Sequence, residues 1–102
     1  NRKSPDAVKM AQRAVQLAPS SADALDTLAF ALAQENNLAK AVEAAQAAVD
    51  IKPKDPYLRL SLAKLHLKAG DKAKAKSELE GLASLGAKFR KQAEVQELLK
   101  SN

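Results

Sequence analysis

Displaced along itself by 34 residues, this sequence meets its own pattern again. Pro19 falls on Pro53, Leu28-Ala29 on Leu62-Ala63, and Ala39-Lys40-Ala41 on Ala73-Lys74-Ala75. Ala7 falls on Ala41 and then Ala75, and Leu17 on Ile51 and then Leu85. Val15, Val49 and Ala83 share a register as well. A fixed period of this length marks an array of small units, none of which can bury its apolar face alone. Such a chain is expected to fold by stacking each unit on the next.

The units read as helices. Ala and Leu dominate the apolar residues, which make up 46 % of the chain, and strong helix formers outnumber β-branched residues. Ser4-Pro5, Ser20/Ser21 and Asp55-Pro56 each put a capping oxygen just ahead of a helix. Pro5 and Pro56 then take the first helical position, where a missing N–H costs nothing. Gly70-Asp71 reads as a left-handed helix stop followed at once by the cap of the next helix. Asn36-Asn37 fits the same role, since Asn tolerates that conformation. These signals predict helices near 5–17, 22–35, 38–51, 56–69, 72–84 and 88–100. Connections this short make neighbouring helices antiparallel.

In this register the residues resemble the tetratricopeptide repeat, whose pattern is W-x₂-L-G-x₂-Y, then A-x₃-F, then P. Residues 22–55 read Leu25-x₂-Leu28-Ala29-x₂-Leu32, then Ala41-x₃-Ala45, then Pro53. The following segment reads Arg59-x₂-Leu62-Ala63-x₂-His66, then Ala75-x₃-Leu79, with Ala87 where the proline would fall. Residues 5–19 carry Ala7-x₃-Ala11 and Pro19, like the second helix of a preceding repeat. The departures are the missing Trp and Phe of the pattern and Arg59 at the usual aromatic position. Small residues at Ala29, Ala41, Ala63 and Ala75 still permit close helix contact. The resemblance implies an all-α, right-handed superhelix of antiparallel helical hairpins with a C-terminal capping helix. It divides the chain into a truncated repeat (1–21), two full repeats (22–55 and 56–87) and the capping helix (88–102). In that last helix Phe89, Ala93, Gln96 and Leu99 are expected to form the apolar stripe, backed by Arg90, Lys91, Glu94, Glu97 and Lys100. Asn1 is not a natural start, so the expectation is a piece of a longer array that ends here.

A narrower resemblance rests on Leu25-Asp26-Thr27-Leu28, on the run Lys-Ala-Gly-Asp-Lys-Ala-Lys-Ala at 68–75, and on Leu-Ala-Ser-Leu-Gly at 82–86. Together these are similar to the C-terminal repeats of bacterial TPR lipoproteins associated with exosortase/PEP-CTERM protein sorting and exopolysaccharide production. That family implies a periplasmic or lipid-anchored location; without it, a cytoplasmic one is expected. Leu-Asp-Thr-Leu also opens repeats in unrelated bacterial TPR proteins.

Little in the sequence points to chemistry. There is no Cys, and no apolar run approaches the roughly 20 residues that span a bilayer. His66, the lone histidine, stands at a core register of the repeat and is read as a packed side chain. A metal site needs several converging ligands, which are not offered. Asp23 with Asp26, and Glu94 with Glu97, share helix faces, where carboxylates solvate or cap rather than work as an acid–base pair. Gly70, Gly81 and Gly86 are scattered and form no phosphate loop. The expectation is a chain without catalysis, cofactor or metal.

Binding is the remaining class. The TPR resemblance implies that the first helix of each hairpin lines a concave groove. Its residues would be Asp23, Asp26, Phe30, Ala33 and Gln34 from one repeat, and Tyr57, Leu60, Ser61, Lys64, Leu67 and Lys68 from the next. Leu58, Leu62 and Leu65 suffice for a core, so Leu60 and Leu67 are surplus. They mark either a contact surface or a face that the final helix covers. Asp26, Phe30, Tyr57 and Ser61 stand where the family's carboxylate clamp wants basic and amide groups, so the groove implied is mixed apolar and Lys-lined, for a protein or peptide. The net charge of +5 divides unevenly: residues 1–51 have 5 Lys/Arg against 6 Asp/Glu, and residues 52–102 have 12 against 6. A basic second half raises an alternative, an anionic polymer such as acidic polysaccharide. Nucleic acid fits poorly, because only three aromatics are present for base stacking. Finally, a helix at 5–17 without its hairpin mate would leave Val8, Ala11 and Val15 uncovered, an invitation to self-association.

Overall fold

The structure, a computed structural model, describes residues 5–86 and 89–101, which form six α-helices and no strand. They are α1 (Pro5–Leu17), α2 (Ala22–Gln34), α3 (Leu38–Ile51), α4 (Pro56–Lys68), α5 (Lys72–Ala83) and α6 (Gln92–Ser101). The expected cap Ser4, and Ala87 and Lys88 at the expected start of the last helix, lie outside the described residues.

Local chemistry sets the helix ends. The Ser21 side chain accepts from the Ala24 N–H at 3.1 Å. Asp55 accepts from the N–H groups of Tyr57 (2.9 Å) and Leu58 (3.4 Å), with Pro56 following in the first turn. Asp71 accepts from the Lys74 N–H at 3.1 Å. Each contact satisfies a backbone donor that has no partner within the helix. The ends of α2 and α4 are the same device used twice. Asn36 (φ 62°) and Gly70 (φ 87°) turn left-handed. The next residue then reaches back five positions: Asn37 N–H donates to Leu32 O at 2.9 Å, and Asp71 N–H to His66 O at 2.8 Å. This pattern is the Schellman closure, and its last residue is also the first cap of the following helix. A hairpin loop of minimal length results.

The helices pack as two hairpins, α2 on α3 and α4 on α5, and the stack continues through α1 on α2, α3 on α4 and α5 on α6. Two apolar cores form. The first joins Ala22, Ala29 and Leu32 of α2, Ala41, Ala44, Ala45, Ala48 and Val49 of α3, and Leu58, Leu62 and Leu65 of α4. The second joins Leu60 and Ala63 of α4, Leu79 and Leu82 of α5, Phe89, and Val95 of α6. α4 is thus the shared wall, apolar on two sides because it is covered on both. Its Arg59, at the position the repeat usually gives to an aromatic, runs over α5 instead. The guanidinium Nε donates to Glu78 Oε1 at 3.1 Å. A Cβ at Gly81 would come within 2.5 Å of the Arg59 Nη2, so the glycine leaves the room that this side chain occupies.

Three expectations need correction. Leu60 (3 % exposed) and the half-buried Leu67 belong to the second core rather than to an open groove, since α6 folds over them. The last helix starts at Gln92, after a turn through left-handed Gly86 (φ 64°), and Phe89 precedes it. Its inward stripe is buried Val95 with half-buried Gln92, Leu98 and Leu99, while Ala93 and Gln96 are exposed. Gln92 fastens the turn, its Nε2 donating at 2.9 Å to both Leu82 O and Gly86 O. On α1, Ala11 is buried and Val8 and Val15 are half-buried; the large apolar side chains left exposed are Met10 and Leu17. The causes differ: a helix packed from farther along the chain covers Leu60 and Leu67, the neighbouring α2 packs against α1, and the turn that Gln92 ties sets the start of α6.

Candidate functional site

The site is built from spacing along two helices. Asp26, Phe30, Ala33 and Gln34 recur three or four residues apart on α2, and Ser61, Lys64, Leu65 and Lys68 do the same on α4, so each set shares one face. The two faces meet in an open groove of about 460 Å³ with Ala29 at its base. Short side chains at Ala29, Ala33 and Ser61 leave the space, while Leu65 supplies an apolar wall. Phe30 stands beside it, 67 % exposed.

The charge is divided along the groove. Burial pushes the Asp26 carboxyl above its ordinary value; a hydrogen bond from the Ser61 hydroxyl draws it back in part, and the charges of Asp23 and Asp55 raise it further. No ion pair engages Asp26 among the described residues. Lys64 is paired with Glu94 of α6, which Lys91 also approaches at 3.9 Å. Lys68 is exposed, and no ion pair engages it among the described residues.

Of the residues the sequence nominated, the structure brings Asp26, Phe30, Ala33, Gln34, Ser61, Lys64 and Lys68 together. Asp23 is exposed, does not line the groove and acts on Asp26 through its charge. Tyr57, 43 % exposed, packs edge-on against Phe89 with ring centroids 5.1 Å apart. Leu60 and Leu67 lie under α6, as described above. Ala29 and Leu65, which the sequence points to as packing positions, also floor and flank the groove. Their signal was present: each neighbours a groove position on its own helix face. His66 is 6 % exposed, on another side of α4, beside an open cleft that includes Glu43, Asp50, Lys74 and Glu78. Among the described residues no group of three or more His, Cys, Asp or Glu side chains is placed to hold a metal ion. No helix among them is long and apolar enough to cross a membrane.

Hairpins of this register stacked in series match a known family at the sequence level: a tetratricopeptide-repeat family model covers residues 32–101. The chain belongs to the TPR family. Among solved structures, this TPR chain is similar to the Yersinia enterocolitica type III secretion translocator chaperone SycD, with a TM-score of 0.81 at 20 % identity. The likeness covers 94 % of this chain and 69 % of that one, and at this identity it speaks for the fold alone. No curated protein sequence matches the chain.

Proposed function

We propose that this TPR chain is a non-catalytic protein-interaction module that holds a peptide segment of a partner protein in the groove between α2 and α4. One observation carries the reading: Phe30 projects 67 % exposed beside a groove with an apolar wall. An aromatic ring offers about 150–250 Å² of contact surface. Buried by a ligand in a desolvated cleft, such a side chain becomes the kind of anchor that dominates binding energy. The family supports the reading, as TPR proteins bind proteins or peptides, and the similar SycD is a type III secretion translocator chaperone.

The alternative, an anionic polymer on the basic second half, has less support. Arg59, Lys64, Lys74 and Lys91 are each engaged by carboxylates of this chain, namely Glu78, Glu94, Asp71 and Glu94. A role in exopolysaccharide-linked sorting, with the periplasmic lipid-anchored location that goes with it, rests on the runs at 25–28, 68–75 and 82–86 alone.

Selection from a displayed random-peptide library, followed by fluorescence anisotropy on wild type and Phe30→Ser, tests the groove. Selected peptides should bind Phe30→Ser at least tenfold more weakly while far-UV circular dichroism is unchanged. Undiminished binding to the variant would sink the assignment.

A further inference from the structure

The groove's two ends differ in charge. At one end Asp26 lies within reach of the charges of Asp23 and Asp55, and its hydrogen-bond partner is the neutral Ser61 hydroxyl. No cation pairs with it among the described residues. At the other end, a Lys is free to act: Lys64 is engaged with Glu94, whereas Lys68 is exposed and engages no carboxylate among the described residues. Phe30, Ala33 and Leu65 lie between. A cleft with an uncompensated acid at one end, a cation at the other and an apolar middle is complementary to a ligand bearing the opposite order of charges.

The spacing fixes what that ligand can be. Ser61, beside Asp26, and Lys68 are seven residues apart on α4. At about 1.5 Å rise per residue that is roughly 10 Å. An extended chain advances about 3.3 Å per residue and covers the same distance in about three residues. A helical ligand would instead need its two charges about seven residues apart to meet both ends.

We propose that the ligand is an extended peptide segment carrying a Lys or Arg and an Asp or Glu three residues apart, with an apolar side chain between them. The cation is seated by Asp26, the apolar side chain by Phe30 and Leu65, and the anion by Lys68. The inference rests on the α2–α4 groove being the binding surface.

Ten-residue peptides on a neutral Gly/Ser/Gln frame supply the test, read by fluorescence anisotropy at low salt. One set carries Lys-Leu-x-Glu and its reverse, Glu-x-Leu-Lys, so that either chain direction is sampled. Controls carry Lys at both charged positions, Glu at both, or the opposite charges on adjacent residues. Wild type should bind one member of the first set at least tenfold more tightly than every control. Asp26→Asn, which keeps an oxygen for Ser61, should remove most of that preference. Asp26→Lys combined with Lys68→Glu should favour the other member of the set. Charge patterns bound alike, no binding of the first set, or an unchanged preference in the reversed variant would each overturn the charge assignment. Pattern-dependent binding that is indifferent to Phe30→Ser would instead remove the groove itself, and the two failures are thereby told apart.

Discussion

The chain has two phenylalanines, and the structure puts them in opposite situations, so one substitution made twice tests the whole arrangement. Phe89 is 4 % exposed, seated against Leu60, Leu79, Leu82 and Val95 and edge-on to Tyr57. Phe30 is 67 % exposed. Truncating a buried Phe to Ala costs about 3–5 kcal/mol, through lost burial and the cavity left behind. About 0.5–1.5 kcal/mol of that is the aromatic edge contact with Tyr57. A chain of this size has on the order of 5–15 kcal/mol of stability in total, so Phe89→Ala removes a large share of it. In urea, with a slope near 1.5 kcal/mol per molar, the unfolding midpoint should fall by about 2–3 M. Phe30→Ala removes contacts with water, and its stability should stay within about 0.5 kcal/mol of wild type, a midpoint shift of about 0.3 M at most. Equilibrium urea unfolding followed by circular dichroism reads both. Comparable losses in the two variants, or a Phe89→Ala protein as stable as wild type, would refute the placement of Phe89 as the plug of the second core.

Asn36 holds a left-handed backbone (φ 62°) at the end of α2, a conformation that costs an ordinary side chain about 1–2 kcal/mol. Asn36→Ala should therefore lower the melting temperature by roughly 5–10 °C, while Asn36→Gly should match or exceed wild type; equal melting of the two variants would contradict the geometry. Asp26 supplies a pH dependence. Its carboxyl titrates above 3.8 in the folded chain, so the folded state holds the proton more tightly than the unfolded one. Its contribution therefore erodes stability as pH rises from about 3.8 through the raised value. Asp26→Asn escapes this loss: its urea midpoint should lie above that of wild type at pH 7, with the gap closing at pH 3. A gap independent of pH would mean that the carboxyl is not desolvated.

What could be read in advance followed from local causes. Ser21, Asp55 and Asp71 cap their helices through side chains acting two or three residues away, and Asn36 and Gly70 end theirs through their own φ. The 34-residue register carried Asp26, Phe30, Gln34, Ser61, Lys64 and Lys68 to one groove, because a repeat that stacks aligns equivalent faces. What could not be read depends on the one helix outside the register. Leu60 and Leu67 look surplus within α4, and only Val95, Leu98 and Leu99, some thirty residues on, decide that they are covered. Phe89 looks like the first residue of an amphipathic stripe, although α6 starts at Gln92. It is the plug of a turn that Gln92 ties to the carbonyls of Leu82 and Gly86.

Because α4 contributes Leu58, Leu62 and Leu65 to one core and Leu60 and Ala63 to the other, the molecule has no seam. Cutting before α4 leaves the α2–α3 hairpin with a bare flank, and cutting after it strips the cover from Leu60. Neither half is self-sufficient. Since the same helix also presents Ser61, Lys64 and Lys68 to the groove, whatever occupies the groove presses on the one element that both ends of the protein hold in common. Occupancy should thus be felt as reduced hydrogen exchange as far away as α6.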